Sequence, residues 1–271
     1  MNHLTHYPRV GAVTGNPRII NRSSVLGKIQ VGEFSSIIGL IKRAQRTYGR
    51  IFTVSGVIAG FRKTALDRIG YWRDDMITED IDVSWRLQFD HWDLQYVPKA
   101  LCYIYMPETF KGLWQQRLRW AQGGIEVLFA YVPKLFKWRL RRMWPVVFEA
   151  IISVIWVYVM TAIILLYVIG LFIELPEQWA VTTVLPNWYG IVLGTTCLIQ
   201  FLVSLMIDRQ YDNSRTLRTY FWVIWYPLFF WVLMTITTAI ALPKTIFKKP
   251  KRARWVSPDR GFRGGQDHVK L

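Results

Sequence analysis

With 271 residues, the chain has room for one large domain or two small ones. Hydrophobic residues make up 52%, including 14 Trp, 13 Tyr and 15 Phe, and 34 Lys and Arg against 18 Asp and Glu leave a net charge of +16. That charge alone admits nucleic-acid binding, but the apolar runs after Trp144 favour a lipid membrane over nucleic acid, with the basic segments on its cytoplasmic side. Cys102 and Cys197 have no zinc or redox spacing, and Cys197 lies in an apolar run, which argues against a bridge between them. The histidines are scattered, and His3 and His6 read as terminal residues rather than metal ligands. No apolar signal-peptide core stands at the start.

In chain order, Val10–Arg18 reads as a strand running into a turn, and residues 29–48 as a helix with Ile29, Phe34, Ile37, Ile38 and Ile41 apolar and Lys42, Arg43 and Arg46 basic. Ile51–Ala59 is apolar and β-branched and reads as a buried strand, with Ser55-Gly56 marking a tight backbone position. A short helix at Ala65–Ile69 precedes Gly70. A longer helix starts at Thr78, a residue suited to an N-cap. Leu94–Val97 reads as a short strand ended by Pro98. This alternation of strands and helices makes the first half α/β.

Glu108–Phe129 has helical periodicity. Phe110, Leu113, Trp114, Leu118, Ala121 and Ile125 share one broad arc, while Gln116, Arg119 and Trp120 fall opposite, as on an interfacial helix. Lys134–Arg142 then carries five basic residues among aromatics and leucines, a pattern for anchoring beside a membrane. Apolar segments at 145–173, 188–207 and 219–242 each have the ~20 residues needed to cross ~30 Å of hydrocarbon, with Pro227 expected to kink or break the last. Glu174 and Glu177 place the first link outside; Arg209, Arg215 and Arg218 place the second in the cytoplasm. The basic tail from Lys244 belongs in the cytoplasm by its charge, whereas three full crossings put it outside. The expected organisation is an α/β region at 1–130, a basic interfacial linker at 131–144, transmembrane helices at 145–243 and a basic tail at 244–271.

Two strings can carry chemistry. In Thr78-Glu79-Asp80, a carboxylate in the first turn of a helix stays ionised and can take a proton from a hydroxyl; alternatively Glu79, Asp80 and Asp82 only complement the helix dipole. In Gln116-Arg117-Leu118-Arg119-Trp120, an Arg can pair with a leaving diphosphate and a Trp offers a flat face to a sugar ring; alternatively this is an amphipathic helix with a basic face.

The order acid cluster, Gln-x-x-Arg-Trp, membrane helices resembles the processive family 2 glycosyltransferases, which include cellulose, chitin and hyaluronan synthases, and within them the bacterial poly-β-1,6-N-acetylglucosamine synthases. The resemblance runs nearly end to end, through Gly11–Arg18, Gly27–Phe34, Thr53–Gly56, Met76–Trp85, Met106–Thr109, Gln115–Gly124 and Arg254–Gly261. It implies the C-terminal part of a GT-A type glycosyltransferase domain followed by α-helical transmembrane segments, in a multi-pass protein of the bacterial inner membrane with its catalytic region in the cytoplasm. The implied reaction moves N-acetylglucosamine from UDP-N-acetylglucosamine to a growing β-linked biofilm polysaccharide. Asp80, flanked by Glu79, is the implied base; Thr78, Gln116, Arg119 and Trp120 contact substrate; Ser55 and Gly56 form the loop beside the acceptor sugar. The family's Mg2+ or Mn2+ is held by an Asp-x-Asp that has no counterpart here, Asp74-Asp75 standing at the wrong place, and no metal ligand is assigned. The expectation is a chain without the nucleotide-binding half and with little activity alone. A small membrane subunit and cyclic di-GMP are further partners that the resemblance implies. A membrane channel or assembly subunit without catalysis is the alternative reading.

Overall fold

The computed structural model describes residues 2–135, 137–183, 188–211 and 214–247. The Lys244 tail beyond residue 247, with the Arg254–Gly261 motif, lies outside them. After a short helix α1 (Asn2–His6), strand β1 (Val10–Ile19) forms the centre of a three-stranded sheet of order β2-β1-β3. β2 (Ala59–Phe61) pairs with it antiparallel and β3 (Asp93–Ile104) parallel. Helices α2 (Val25–Phe34), α3 (Lys42–Tyr48), α4 (Lys63–Ile69) and α5 (Glu79–Phe89) occur between the strands, so the α/β reading holds. β1 is buried along almost its whole length because it lies between two neighbours and is covered by helices.

Three local expectations change. The predicted helix at 29–48 is present, but Ser35–Ile41 at its centre is π-helical. Such a widened turn inserts an extra residue and rotates the downstream side chains about the helix axis, and it tends to occur at functional sites. The predicted strand at Ile51–Ala59 forms a ladder with β1 only from Ala59. Upstream, side chains take the place of a partner strand: the N–H groups of Ile51, Phe52, Val54 and Ser55 donate to Gln88 Oε1, Gln45 Oε1, Ser84 Oγ and Thr14 Oγ1, at 2.8–3.0 Å. Those bonds let an extended segment with Ile51 and Val54 buried forgo a sheet. Finally, β3 does not end at Pro98. Its register jumps from Thr14↔Tyr96 to Asn16↔Leu101, so a bulge on this edge strand absorbs the proline.

α6 (Phe110–Tyr131) leads from the sheet region to the apolar helices. Thr109 caps it, its Oγ accepting from Gly112 N at 3.2 Å. Leu113 and Ile125 are buried as their arc predicts, but Phe110 is exposed, Arg117 within the same arc is a buried charge, and Gln116 on the other side is buried too. α6 is therefore enclosed on more of its circumference than an interfacial helix would be. Its last turns join Met76, Ile81 and Trp85 to Met143 and Val147 in one apolar cluster, while Leu113 packs with Phe201, Val223, Tyr226 and Phe230 in another.

The apolar helices are α7 (Trp144–Gly170), α8 (Trp188–Asp208) and α10 (Tyr226–Ile246), the last preceded by the single turn α9 (Tyr220–Val223). Among the described residues three helices are long and apolar enough to cross a membrane. α7, with 27 residues, extends about 40 Å and exposes Phe148, Ile155, Trp156 and Leu165 along its flank. Pro227 acts as expected: the helix breaks at Ile224–Trp225 and restarts with Pro227 in its first turn, where a missing N–H costs nothing. α8 is tied to the first half by polar contacts. Gln200 Nε2 donates to Ser36 Oγ at 2.8 Å, and Asp208 pairs with Arg18 at 2.5 Å, both side chains being buried.

Candidate active site

α5 begins at Glu79, with Thr78 in the N-cap position, but the Thr78 hydroxyl makes no capping bond. Instead Asp80 Oδ1 accepts from the N–H of Ile81 at 2.9 Å, and Thr78 Oγ1 is buried without a partner. α6 crosses close by at Gly123, where an added Cβ would lie 2.3 Å from both Thr78 Cγ2 and Thr78 Oγ1. Gly123→Ala is therefore expected to push Thr78 aside and destabilise the protein by about 1–3 kcal/mol, read as a lower unfolding midpoint in detergent; an unchanged midpoint would show that Thr78 moves freely.

Asp80 faces the Ser55-Gly56 loop. A Cβ on Gly56 would come 3.4 Å from Asp80 Oδ2, so glycine leaves the backbone open to the carboxylate. The loop is fixed from several sides. Ser55 N–H donates to Thr14 Oγ1 of β1 at 2.8 Å, and Ile58 N–H donates back to the Ser55 carbonyl at 3.0 Å. From the first residue of α3, Lys42 Nζ donates to Ser55 Oγ at 2.8 Å. Ser84 fastens the base of the site, accepting from Val54 N–H at 2.9 Å and donating to the Asp80 carbonyl at 2.6 Å.

Burial pushes the Asp80 carboxyl above the usual carboxylate range and Glu79 pushes the same way; the Ile81 N–H, Lys42 and the Gly56 N–H oppose them. Burial lowers Lys42 to about 8, against the pull of Asp80. A carboxylate raised by desolvation is a stronger base than one in water, which suits proton abstraction. Glu79 is exposed beside it and acts on Asp80 through charge. Asp82, on the same helix, is wholly buried and engaged, accepting from Tyr131 OH at 2.5 Å and from Arg86 Nε at 2.8 Å.

Gln116, Arg119 and Trp120 stand on α6 before Gly123. Gln116 is buried, its Nε2 3.8 Å from Met106 Sδ and its Oε1 without a partner. Trp120 is half-buried against Phe34, their ring centroids 6.3 Å apart. Arg119 is half-exposed. Thr78, Glu79, Asp80, Ser55 and Gly56 thus form one cluster, and Gln116–Trp120 occupy the adjoining turns of the helix that presses on it.

Two residues escaped the sequence reading. Lys42 registered only as one of several basic positions on a helix. Arg117, inside the Gln-x-x-Arg-Trp string, is fully buried: its Nη2 pairs with Glu33 Oε2 at 2.6 Å and its guanidinium lies 4.5 Å from the Trp120 ring centre. A charged residue on the apolar α2, Glu33, was the available signal.

No three His, Cys, Asp or Glu side chains converge to hold a metal ion among the described residues. Asp75 is occupied by Arg73, at 2.6 and 2.9 Å. The described residues therefore do not fit a divalent-cation site.

A model of the family described as glycosyl transferase family group 2 matches residues 1–243. The chain belongs to that glycosyltransferase family. Its relatives include poly-beta-1,6-N-acetyl-D-glucosamine synthase of Staphylococcus epidermidis, 43% identical over 255 residues, covering 94% of this chain and 62% of the relative. The protein of the same name from Staphylococcus aureus strain COL is 42% identical over 266 residues, covering 96% and 63%. The chain thus spans about three-fifths of the length of these relatives. Among solved structures, the mannosyltransferase PcManGT from Pyrobaculum calidifontis in complex with GDP-Man and Mn2+ aligns with a TM-score of 0.48 at 16% identity, over 89% of this chain and 55% of that one. Family membership gives the Asp80 cluster a chemical context, because glycosyl transfer to a hydroxyl needs a base at the acceptor.

Proposed function

We propose that this chain supplies the acceptor side of a membrane-embedded, inverting transferase that adds N-acetylglucosamine from UDP-N-acetylglucosamine to a growing β-linked polysaccharide. The observation that carries the reading is Asp80, a carboxylate raised by burial at the start of α5 and facing the open backbone of Gly56. The terminal hydroxyl of the polymer gives its proton to Asp80 as its oxygen attacks the anomeric carbon. The bond from that carbon to the nucleoside diphosphate breaks, and the electron pair leaves with the diphosphate. Arg119 offers the departing anion a cation, and Trp120 offers the acceptor ring a stacking face. Thr78 Oγ1 and Gln116 Oε1 are buried acceptors that no protein group satisfies. The described residues have no cradle for Mg2+ or Mn2+, and none of these steps passes through the ion. A small membrane subunit and cyclic di-GMP are further partners proposed from the resemblance alone.

The apolar helices α7, α8 and α10 support an exit for the polymer close to the site, in a multi-pass inner-membrane protein whose catalytic region faces the cytoplasm. The test is incorporation of labelled sugar by membranes containing the chain joined to the unmatched portion of the Staphylococcus epidermidis relative. UDP-N-acetylglucosamine and UDP-glucose are compared, with linkage analysis of the product. Polymer made from the first donor and not the second supports the reading. Equal use of UDP-glucose, or glucose polymer alone, would move the chain to a cellulose-type synthase.

A further inference from the structure

We propose that Lys42 is a positioning residue for Asp80, fixing the Ser55-Gly56 loop through Ser55 Oγ and setting the charge state of the carboxylate that the loop faces. The inference rests on the proposed role of Asp80 as base.

The placement of Lys42 is unusual for a lysine. Only 5% of it is exposed, and its Nζ donates to Ser55 Oγ at 2.8 Å. It is the first residue after the π-helical stretch Ser35–Ile41, so the widened turn sets the direction in which its side chain leaves the helix. A buried ammonium needs a reason to remain, because a methionine of similar length would fill the same space without losing hydration. The groups facing Lys42 are Ser55 from the loop and Asp80 from α5. Those facing Asp80 are Glu79 on its own helix, Lys42, and the N–H groups of Ile81 and Gly56. The neighbouring Arg43 turns elsewhere, towards Asp208 at 3.7 Å and the rings of Tyr96 and Tyr211. Among these groups Lys42 is the one full positive charge acting on Asp80, and it opposes Glu79. A purely structural lysine would brace the loop and leave the proton affinity of Asp80 unchanged.

The test measures that affinity directly. In the full chain in membranes, carbodiimide labelling of Asp80 is followed against pH by mass spectrometry, because the protonated carboxyl is the form that reacts. Lys42→Met should raise the labelling midpoint by about one pH unit, a tenfold larger protonated fraction at a given pH. In the joined enzyme the acid limb of polymer synthesis should move up with it, with activity recovering at higher pH. The reciprocal arm keeps Lys42 and replaces its partner: in Asp80→Asn, competitive acetylation of Lys42 should show a midpoint below the value of about 8 expected for the unsubstituted chain. This second arm decides the matter if Lys42→Met does not fold. Midpoints unmoved in both arms would overturn the proposal. Absent polymer synthesis with shifted midpoints would instead count against the function proposed for the site, leaving the coupling of Lys42 and Asp80 established.

Discussion

Asp80→Asn is expected to reduce polymer synthesis by about 10²–10⁴-fold while leaving the protein folded, because the amide keeps the shape of the carboxylate and cannot take the proton. Several of the bonds that build the site around it do not involve its carboxylate. Ser84 Oγ donates to the Asp80 main-chain carbonyl, and Ser55 is held by Thr14 and Lys42. Removing a half-buried carboxyl whose proton affinity is raised above the ordinary range also removes a cost. A raised folded-state value means that ionisation weakens the fold as pH rises through it, so the Asn variant should equal or exceed the parent in thermal stability at pH 7. Loss of synthesis together with retained stability separates catalysis from architecture. Full synthesis by the Asn variant would favour a channel or assembly subunit, in which Asp80 serves only the helix dipole.

The largest effect on stability is expected from Glu33→Ala. Glu33 and Arg117 each have 1% of the side chain exposed and meet at 2.6 Å, and Tyr226 OH donates to the other carboxylate oxygen at 3.4 Å. Burial pushes the Glu33 carboxyl upward, with Arg117 the strongest influence against it. Removing the carboxylate strands a guanidinium between α2, α6 and α10, at a cost of about 3–5 kcal/mol. Glu33→Gln keeps an acceptor for Arg117 and should lose less. Replacing both partners with apolar residues, as in Glu33→Leu with Arg117→Met, should recover much of the loss. Unfolding midpoints in detergent measure all three. A double variant no better than Glu33→Ala would show that the pair contributes more than mutual neutralisation. Because Arg117 also lies against the Trp120 ring, the single substitution should loosen that ring.

How much of the fold and site was legible in the chain depended on how local each signal is. Thr78-Glu79-Asp80 was legible because acidic residues at a helix start leave a pattern within a few positions, and the structure begins α5 at Glu79. The apolar segments were legible because lipid imposes length and composition together. The Thr78 hydroxyl makes no capping bond, and its close neighbour Gly123 comes from 45 positions away, a contact no local pattern announces. The stretch Ile51–Val54 has the composition of a strand, but Gln45, Ser84 and Gln88 replace the ladder, and no periodicity announces that. Lys42 belongs to the site only because a π-helical turn precedes it and a loop from farther along the chain lies against it. Arg18 with Asp208, and Glu33 with Arg117, join residues 190 and 84 positions apart, so no local pattern pairs them.

The claim that the Asp80 cluster and the Gln116–Trp120 turns form one acceptor site is best tested by binding, which requires no donor and no turnover. A short β-1,6-linked N-acetylglucosamine oligosaccharide is titrated by calorimetry into the detergent-solubilised chain and into its Trp120→Ala and Ser55→Ala variants. The expected result is saturable binding, weakened about tenfold without the Trp120 ring, the equivalent of roughly 1.4 kcal/mol of stacking, and weakened also when Ser55 is lost. Binding that is absent from the folded chain, or present and indifferent to both substitutions, would contradict the assignment of these residues to a sugar acceptor.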